Sequence, residues 1–277
     1  MVAMHTYTDL LNQVSQQLED DSIKLPGLPE IAIQVQQAVA DPMMTLPKLS
    51  AIIARDPALS ARLVRIANSA WLGRPVKAEN LPQAVMRLGF WQIRNVALAM
   101  ALEGLYEAQD AMVKDELREA WRQSLDLTAA AVTLLNHYPG EMDLHSHTLA
   151  LACSCSRIGV LPLLSVVEQD QLSDIEDYYA AKQVLAVPLG TKVLTSWQFS
   201  TDIIRLHKQW REGIGSLQPS YLSFMQLAGV LTGQIKVTDE KELLKMYASS
   251  GCITRPGVWQ QPAVQADYQS ILSALRD

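Results

Sequence analysis

Apolar residues recur every three or four positions along most of the chain, whereas strict alternation of apolar and polar residues is rare. The first spacing is typical of an amphipathic helix and the second of a strand. Asp56-Pro57 gives a clear helix start, because Asp can cap free amides and Pro suits the first helical position. The apolar face that follows consists of Leu59, Leu63, Ile66, Ala67 and Ala70. The pattern predicts an all-α fold.

Glycine, proline and capping residues mark where several helices are predicted to begin and end. Gly73 and Pro75 should end the helix that follows Asp56. Asn80 should cap the next helix, which Gly89 should end. Further helices are predicted at residues 90–100, 114–136, 147–157, 175–185, 189–197, 201–211, 221–231, 239–248 and 264–275.

The composition is that of a globular protein with a sizeable core. The 277 residues are 49% hydrophobic and 19% charged, and the net charge is -6 with no Lys/Arg run. Neutralisation of nucleic-acid phosphates is therefore not favoured, which leaves a local basic patch as the remaining route to such a partner. The sequence has three cysteines without the pattern of a disulfide framework, and it shows no secretory signal. It also has no apolar stretch near the roughly 18 residues that a membrane helix needs. These features predict a reduced, cytoplasmic protein.

Residues 145–155, HSHTLALACSC, hold two histidines and two cysteines, which are zinc-ligand types. On a helix, residues two apart point about 200° apart, so His145 and His147 should diverge, as should Cys153 and Cys155. We therefore predict a buried core helix rather than a metal site. The C-x-C spacing also differs from the C-x-x-C of a redox pair. Common nucleophile and nucleotide-binding motifs are absent from the sequence.

Three consecutive segments resemble the HD-related output domain (HDOD) family. They are LPGLPEIAIQVQQAVADP at 25–42, LPKLSAIIARDPALSARLVRIANSAWLG at 46–73 and LPQAVMRLGFWQIRNVAL at 81–98. WRQSLDLTAAAV, residues 121–132, resembles the next helix of that family. The resemblance covers roughly residues 25–210 and implies an all-α, HD-domain-like bundle of many helices in two lobes.

The resemblance and a change in composition together predict the domain organisation. REGIGSLQPS, residues 211–220, concentrates Gly, Ser and Pro, which predicts a boundary. We expect an N-terminal helix at 1–24, an HDOD domain at 25–214 and a helical C-terminal extension at 215–277. The lobes of the HDOD domain should span about 25–108 and 112–214.

The family is related to the HD phosphohydrolases, in which His and Asp side chains hold a metal ion that activates water. The resemblance places the first metal-binding His at Gln123 and the His-Asp pair at Ser156 and Arg157. A later His should precede a helix-opening Gly, matched to Gly190, and none is there; His207 is the one His that a looser match retains. Neutral and cationic side chains are poor substitutes for these ligands, so we predict no metal centre and no cofactor.

Two roles for Arg157 follow from its position. The favoured prediction is a surface or ion-paired Arg without a ligand, because most Arg side chains are exposed. The alternative is an anion- or ligand-binding groove that Arg157 forms with Gln123 and His207.

Three functions remain open, led by a non-catalytic bacterial signalling or regulatory protein. It would bind a protein partner or a small signalling ligand in a groove between its two lobes. The second is an HD-type metal-dependent phosphohydrolase with different ligands, brought together from His145, His147 or His207. The third is a nucleotide- or nucleic-acid-binding module, which predicts a basic surface patch. Oligomeric state stays open.

Overall fold

The computed structural model describes residues 8–71, 77–141, 143–170, 175–214 and 217–276. Within these ranges the secondary structure consists of helices, without a strand, which confirms the all-α prediction. The α-helices are α1 (Thr8–Glu19), α2 (Glu30–Ala40), α3 (Leu46–Ile53), α4 (Pro57–Asn68), α5 (Leu81–Ala101), α6 (Ala111–Asn136), α7 (Ser146–Ser154), α8 (Val160–Gln169), α9 (Ile175–Ser196), α10 (Thr201–Gln209), α11 (Tyr221–Leu231), α12 (Glu240–Ser249) and α13 (Pro262–Arg276). Two short 3₁₀ helices, Leu102–Leu105 and Cys155–Arg157, follow α5 and α7.

The predicted helix starts at Asp56 and Asn80 are confirmed. The Asp56 carboxylate accepts a hydrogen bond from the Leu59 amide at 2.9 Å, and the Asn80 side chain accepts one from the Gln83 amide at 3.0 Å. Each bond satisfies an amide that the first helical turn leaves without a partner. The predicted stops at Gly73 and Pro75 lie outside the described residues.

Gly89 interrupts α5, as the sequence predicts. Its φ of 72° and ψ of 170° lie outside the helical region, so two helical arms meet at a kink there. A side chain would strain a backbone with this positive φ, which is why glycine suits the position.

The two helices predicted at 175–185 and 189–197 are instead one helix, α9, with Pro188 in its interior. Pro188 cannot donate to the carbonyl of Val184 one turn earlier. Val184 is 56% exposed, so water can satisfy that carbonyl. Leu189 and Val193 beyond the proline are buried in the core, and their packing keeps the helix continuous. Periodicity also did not predict α2, α3 or α8.

The core is one continuous cluster of buried side chains with α6 at its centre. Helix α6 packs against α7, α8, α11 and α13, while α5 packs against α2, α3, α4 and α7. The last helices therefore lie against the central helix of the bundle and share its core. This arrangement places the residues after 217 beside the positions that the family resemblance singled out.

One apolar segment is longer than the sequence analysis expected. Residues Ser146–Gln169 form a 24-residue run of α7, a 3₁₀ turn and α8 that is long and apolar enough to cross a membrane. The prediction that no apolar stretch approaches that length is therefore wrong. The burial of 89% of its most apolar window identifies the run as core helix in this fold.

Candidate functional site

Arg157 lies in the 3₁₀ turn between α7 and α8 and is 7% exposed. Its Nη2 donates to the Gln234 side-chain oxygen at 2.8 Å, and its Nε is buried without a hydrogen-bond partner. Among the described residues it has no carboxylate within ion-pair distance. The favoured prediction of a surface or ion-paired Arg is therefore wrong, because the guanidinium is enclosed by an aromatic ring and an amide.

The aromatic ring is that of Trp210, which is itself buried at the end of α10. The Arg157 guanidinium carbon lies 5.4 Å from the centre of this ring, and that of Arg211 lies 5.1 Å from it. A ring face attracts a cation, so one indole contacts two positive charges. Burial, and then the charge of Arg211, lowers the pKa of Arg157 to about 9.

Arg157, Arg211 and Gln234 border an open cleft of about 990 Å³, which we call the arginine cavity. Its walls come from α6, the turn that carries Arg157, α9, the end of α10 and residues 232–236 after α11. The lining includes two carboxylates, Asp126 and Glu212. It also includes six cationic side chains, which are Arg122, Arg157, Lys182, Lys208, Arg211 and Lys236.

Gln123 borders the arginine cavity, whereas Ser156 and His207 do not. Ser156 is buried, and its hydroxyl lies 3.5 Å from that of Ser124. His207 is 2% exposed, and its Nδ1 donates to the Cys155 carbonyl at 3.1 Å. Burial lowers the pKa of His207, which keeps the ring neutral. The groove predicted from Arg157, Gln123 and His207 thus contains the first two.

His207 lies where α9 closely approaches both α10 and the turn that carries Arg157. A Cβ on Gly190 would lie 2.2 Å from His207 Nε2, and a Cβ on Gly159 would lie 1.7 Å from the Ala186 carbonyl oxygen. Glycine at both positions lets α9 contact the turn that carries Arg157. Gly190 lies in the interior of α9, so the expectation that it opens a helix is wrong.

The residues to which the resemblance assigns the metal ligands do not fit a divalent metal ion. Gln123 and Ser156 offer neutral oxygens, and Arg157 offers a buried positive charge without an acceptor atom. The His207 imidazole is turned to a backbone carbonyl. A metal would have to displace or tolerate a guanidinium, which electrostatic repulsion opposes.

Cys153 and Cys155 are fully buried free thiols, and burial raises the pKa of both. A thiolate is the form that binds metal or attacks disulfides. Their prediction as core residues is therefore confirmed.

His145 and His147 do not diverge, which corrects the prediction from helical geometry. His145 precedes α7 with extended backbone, so the two rings stack with centroids 5.2 Å apart and planes 9° apart. They border a second cavity of about 520 Å³, the histidine cavity, with Trp91 and Arg94 of α5 and Phe199 before α10. This cavity therefore lies between the two predicted lobes of the HDOD domain.

The histidine cavity does not assemble a metal site. Across the part of the chain that the structure describes, no group of three or more His, Cys, Asp or Glu side chains could hold an ion. His207 borders neither cavity, so the three histidines of the alternative phosphohydrolase hypothesis do not converge there. Burial, and then the neighbouring His145, lowers the pKa of His147 to about 4.

A family model for the HDOD domain matches residues 25–211. The chain belongs to the HDOD family. Its sequence is 34% identical to a Shewanella amazonensis SB2B protein described as a "putative metal-dependent phosphohydrolase", with a TM-score of 0.90. That match covers 98% of this chain and 99% of the other, so the two proteins share the helices after residue 211 as well.

More distant relatives show the same HDOD-like helical fold. An HDOD domain protein of unknown function from Geobacter sulfurreducens is 17% identical, with a TM-score of 0.60 over 98% of this chain and 97% of that one. A "putative signal transduction protein" from Marinobacter aquaeolei VT8 is 18% identical, with a TM-score of 0.58 over the whole of this chain and 68% of that one.

An uncharacterised Treponema pallidum protein is similar in sequence over part of its length. It is 26% identical over 117 residues, which are 42% of this chain and 21% of that protein.

Sequence reasoning missed the side chains that hold Arg157. Gln234 lies 77 positions from Arg157, beyond the matched family region, and Trp210 lies at its last residues. The Trp210-Arg211 pair carried a usable signal, because tryptophan faces attract guanidinium groups. No comparable signal marked Gln234.

Proposed function

We propose that this protein is a non-catalytic HDOD regulatory module that acts by binding a small signalling ligand or a protein partner. The observation that carries the proposal is the buried, ion-pair-free guanidinium of Arg157, which stands where the resemblance places an anionic metal ligand. A unit charge about 5 Å from a divalent ion opposes metal binding by several kcal/mol at an effective dielectric near 20.

The two cavities support a binding role. Ligand sites are commonly concave and occupy about 300–1,000 Å³. The arginine cavity offers about 990 Å³ and the histidine cavity about 520 Å³. The reduced cysteines favour a cytoplasmic setting for this module, where thiols stay free.

Metal analysis of the purified full chain together with a panel of phosphomonoesters and phosphodiesters tests the proposal. We expect less than stoichiometric transition metal and no turnover with added Mn²⁺, Fe²⁺ or Zn²⁺. Stoichiometric metal together with turnover that a chelator abolishes would overturn the non-catalytic function. A pull-down from native lysate then identifies protein partners without assuming a ligand.

A nucleotide- or nucleic-acid-binding module is the second candidate, and the cations of the arginine cavity favour it. The predicted basic patch would be this cleft, although the chain as a whole carries a net charge of -6. A gel-shift titration with a single-stranded oligonucleotide at low salt distinguishes nucleic acid from a small ligand. Binding that falls steeply with added salt would favour nucleic acid.

A further inference from the structure

We propose that the arginine cavity binds a phosphorylated small molecule, and that Arg157 and Arg211 hold the oxygens of its phosphate group. The inference rests on the proposed regulatory function and adds the chemical class of its ligand. Its basis is an excess of positive charge in one cleft of an acidic protein.

The first step is the state of Arg157. A buried charge is costly unless a partner of opposite charge or a full set of hydrogen bonds compensates it. Arg157 has one neutral hydrogen-bond partner, Gln234, and a buried Nε without any. The guanidinium thus borders the cavity with fewer hydrogen bonds than its five donors can make.

The second step is that nearby carboxylates are occupied. Glu119 accepts from Arg122 at 2.7 and 2.6 Å and from Gln123 at 2.6 Å. Asp126 accepts from Arg122 at 2.6 Å and from Arg276 at 2.8 Å. Neither carboxylate forms an ion pair with Arg157, although the charge of Glu119 acts on it from a greater distance and raises the Arg157 pKa.

The third step is the pairing of the remaining cations. Lys182 lies 3.1 Å from the Glu116 carboxylate, so its charge is compensated. Among the described residues, Lys208, Arg211 and Lys236 line the cavity without an ion pair. Together with Arg157 they form a concave group of four positive charges without an ion pair, and Glu212 is the lining carboxylate that remains beside them.

The fourth step is geometry. Trp210 keeps the guanidinium groups of Arg157 and Arg211 against one ring, although their charges repel. Guanidinium forks match phosphate oxygens with paired hydrogen bonds, and a phosphate carries up to two negative charges. The two guanidinium carbons are thus at most 10.5 Å apart, so the phosphate oxygens of one ligand can engage both arginines and relieve their repulsion.

The fifth step concerns Gln234, which fixes the orientation of Arg157. Its Nε2 donates to the Gln123 carbonyl at 2.9 Å and to the Thr232 hydroxyl at 3.2 Å, which turns its oxygen toward Arg157. The segment after α11 thereby supplies one wall of the cavity. The ligand would contact both the HDOD domain and the C-terminal helices.

Isothermal titration calorimetry of the full chain with sodium pyrophosphate, at fixed ionic strength, tests the inference. Parallel arms use inorganic phosphate, a nucleoside monophosphate and a nucleoside triphosphate, to separate a bare phosphate site from one that also recognises a base. We expect saturable one-to-one binding of pyrophosphate, or of a nucleotide that binds more tightly than pyrophosphate. Arg211→Gln and Arg157→Met should each weaken it about tenfold or more, or about 1.4 kcal/mol.

Arg205→Gln is the matched control, because it removes the same charge from an exposed side chain of α10 that lies outside the cavity. It should change the dissociation constant less than about twofold. Arg211 is exposed, so its variant keeps the test valid if Arg157→Met does not fold. Gln234→Glu should block binding, because the new carboxylate would neutralise Arg157.

Three results would overturn the inference. They are the absence of saturable binding in every arm, an equal loss in Arg205→Gln and Arg211→Gln, and tighter binding of an oligonucleotide through the same arginines. Absent binding together with absent turnover would leave the regulatory function standing. Binding followed by metal-dependent hydrolysis would support the phosphate site and overturn the non-catalytic function.

Discussion

The arginine cavity and the histidine cavity contain partly or fully buried basic side chains, but burial has opposite consequences in the two. His147 can lose its proton, and its pKa of about 4 leaves it neutral at physiological pH. Arg157 has a pKa of about 9 and stays charged there. A buried imidazole avoids the desolvation cost of a charge by becoming neutral. A buried guanidinium stays charged, so it keeps that cost unless an anion binds to it. A buried arginine is therefore the stronger indication of a ligand.

The largest expected effect is a loss of stability from a substitution beside the arginine cavity, which leaves the histidine cavity unchanged. Gly159→Ala should lower the free energy of unfolding by roughly 3 kcal/mol, because overpacking a close contact forces the backbone apart. The added Cβ would lie 1.7 Å from the Ala186 carbonyl oxygen, at a wall of the arginine cavity. Urea denaturation measures the loss. Gly27→Ala is the control, since nothing lies within 4 Å of its Cβ, and an equal loss there would contradict the contact.

The histidine cavity should respond to acid. The folded-state pKa of His147, about 4, lies below its ordinary value of 6.5, so the unfolded chain binds a proton first as pH falls. Wild type should lose on the order of 1–2 kcal/mol between pH 7 and 4.5 relative to His147→Gln, after allowance for partial exposure. Denaturation at both pH values measures this. Parallel pH dependence of the two proteins would contradict a neutral His147.

The arginine cavity should respond to alkali, and its stability should also rise with pH. The folded-state pKa of Arg157, about 9, lies below its ordinary value of 12.5, so the folded protein releases this proton first as pH rises. Wild type should therefore gain about 1 kcal/mol relative to Arg157→Met between pH 8 and 10. The same comparison with Arg205→Met should show no such gain, and a constant difference for Arg157→Met would mean that the charge is already compensated.

The smallest expected effect is within the histidine cavity. His145→Gln removes the imidazole that stacks on His147, so the pKa of His147 should rise slightly while staying below 6.5. Burial remains the larger cause and is unchanged. An NMR titration of the His147 ring protons measures the shift. A return of that pKa to 6.5 would show that His145, rather than burial, is the main cause.

Local sequence signals predicted much of the secondary structure but not its continuity. Asp56, Asn80 and Gly89 act through hydrogen bonds or backbone angles within a few residues, so their positions are readable from the sequence. Pro188 normally ends a helix, yet α9 continues through it because side chains beyond it pack in the core. That packing involves residues distant along the chain.

The candidate site shows the same division. The resemblance identified Gln123, Ser156 and Arg157 as the positions that lack metal ligands, and the structure places Gln123 and Arg157 at one cavity. The resemblance could not show whether Arg157 is exposed or buried, since an isolated Arg carries no periodic signal. His145 and His147 were misjudged for a related reason, because α7 begins one residue after His145 and helical spacing does not apply to it.

The sequence by itself determined the all-α class and the HDOD family, because both depend on residue identity and short-range spacing. The tertiary structure alone decided that Trp210 and Gln234 enclose Arg157 and that His207 does not line the arginine cavity. It also decided that four cations line this cavity without an ion pair to any residue that the structure describes. The reason is physical. Burial and charge compensation depend on which distant side chains meet, and folding brings Gln234 to Arg157 across 77 positions.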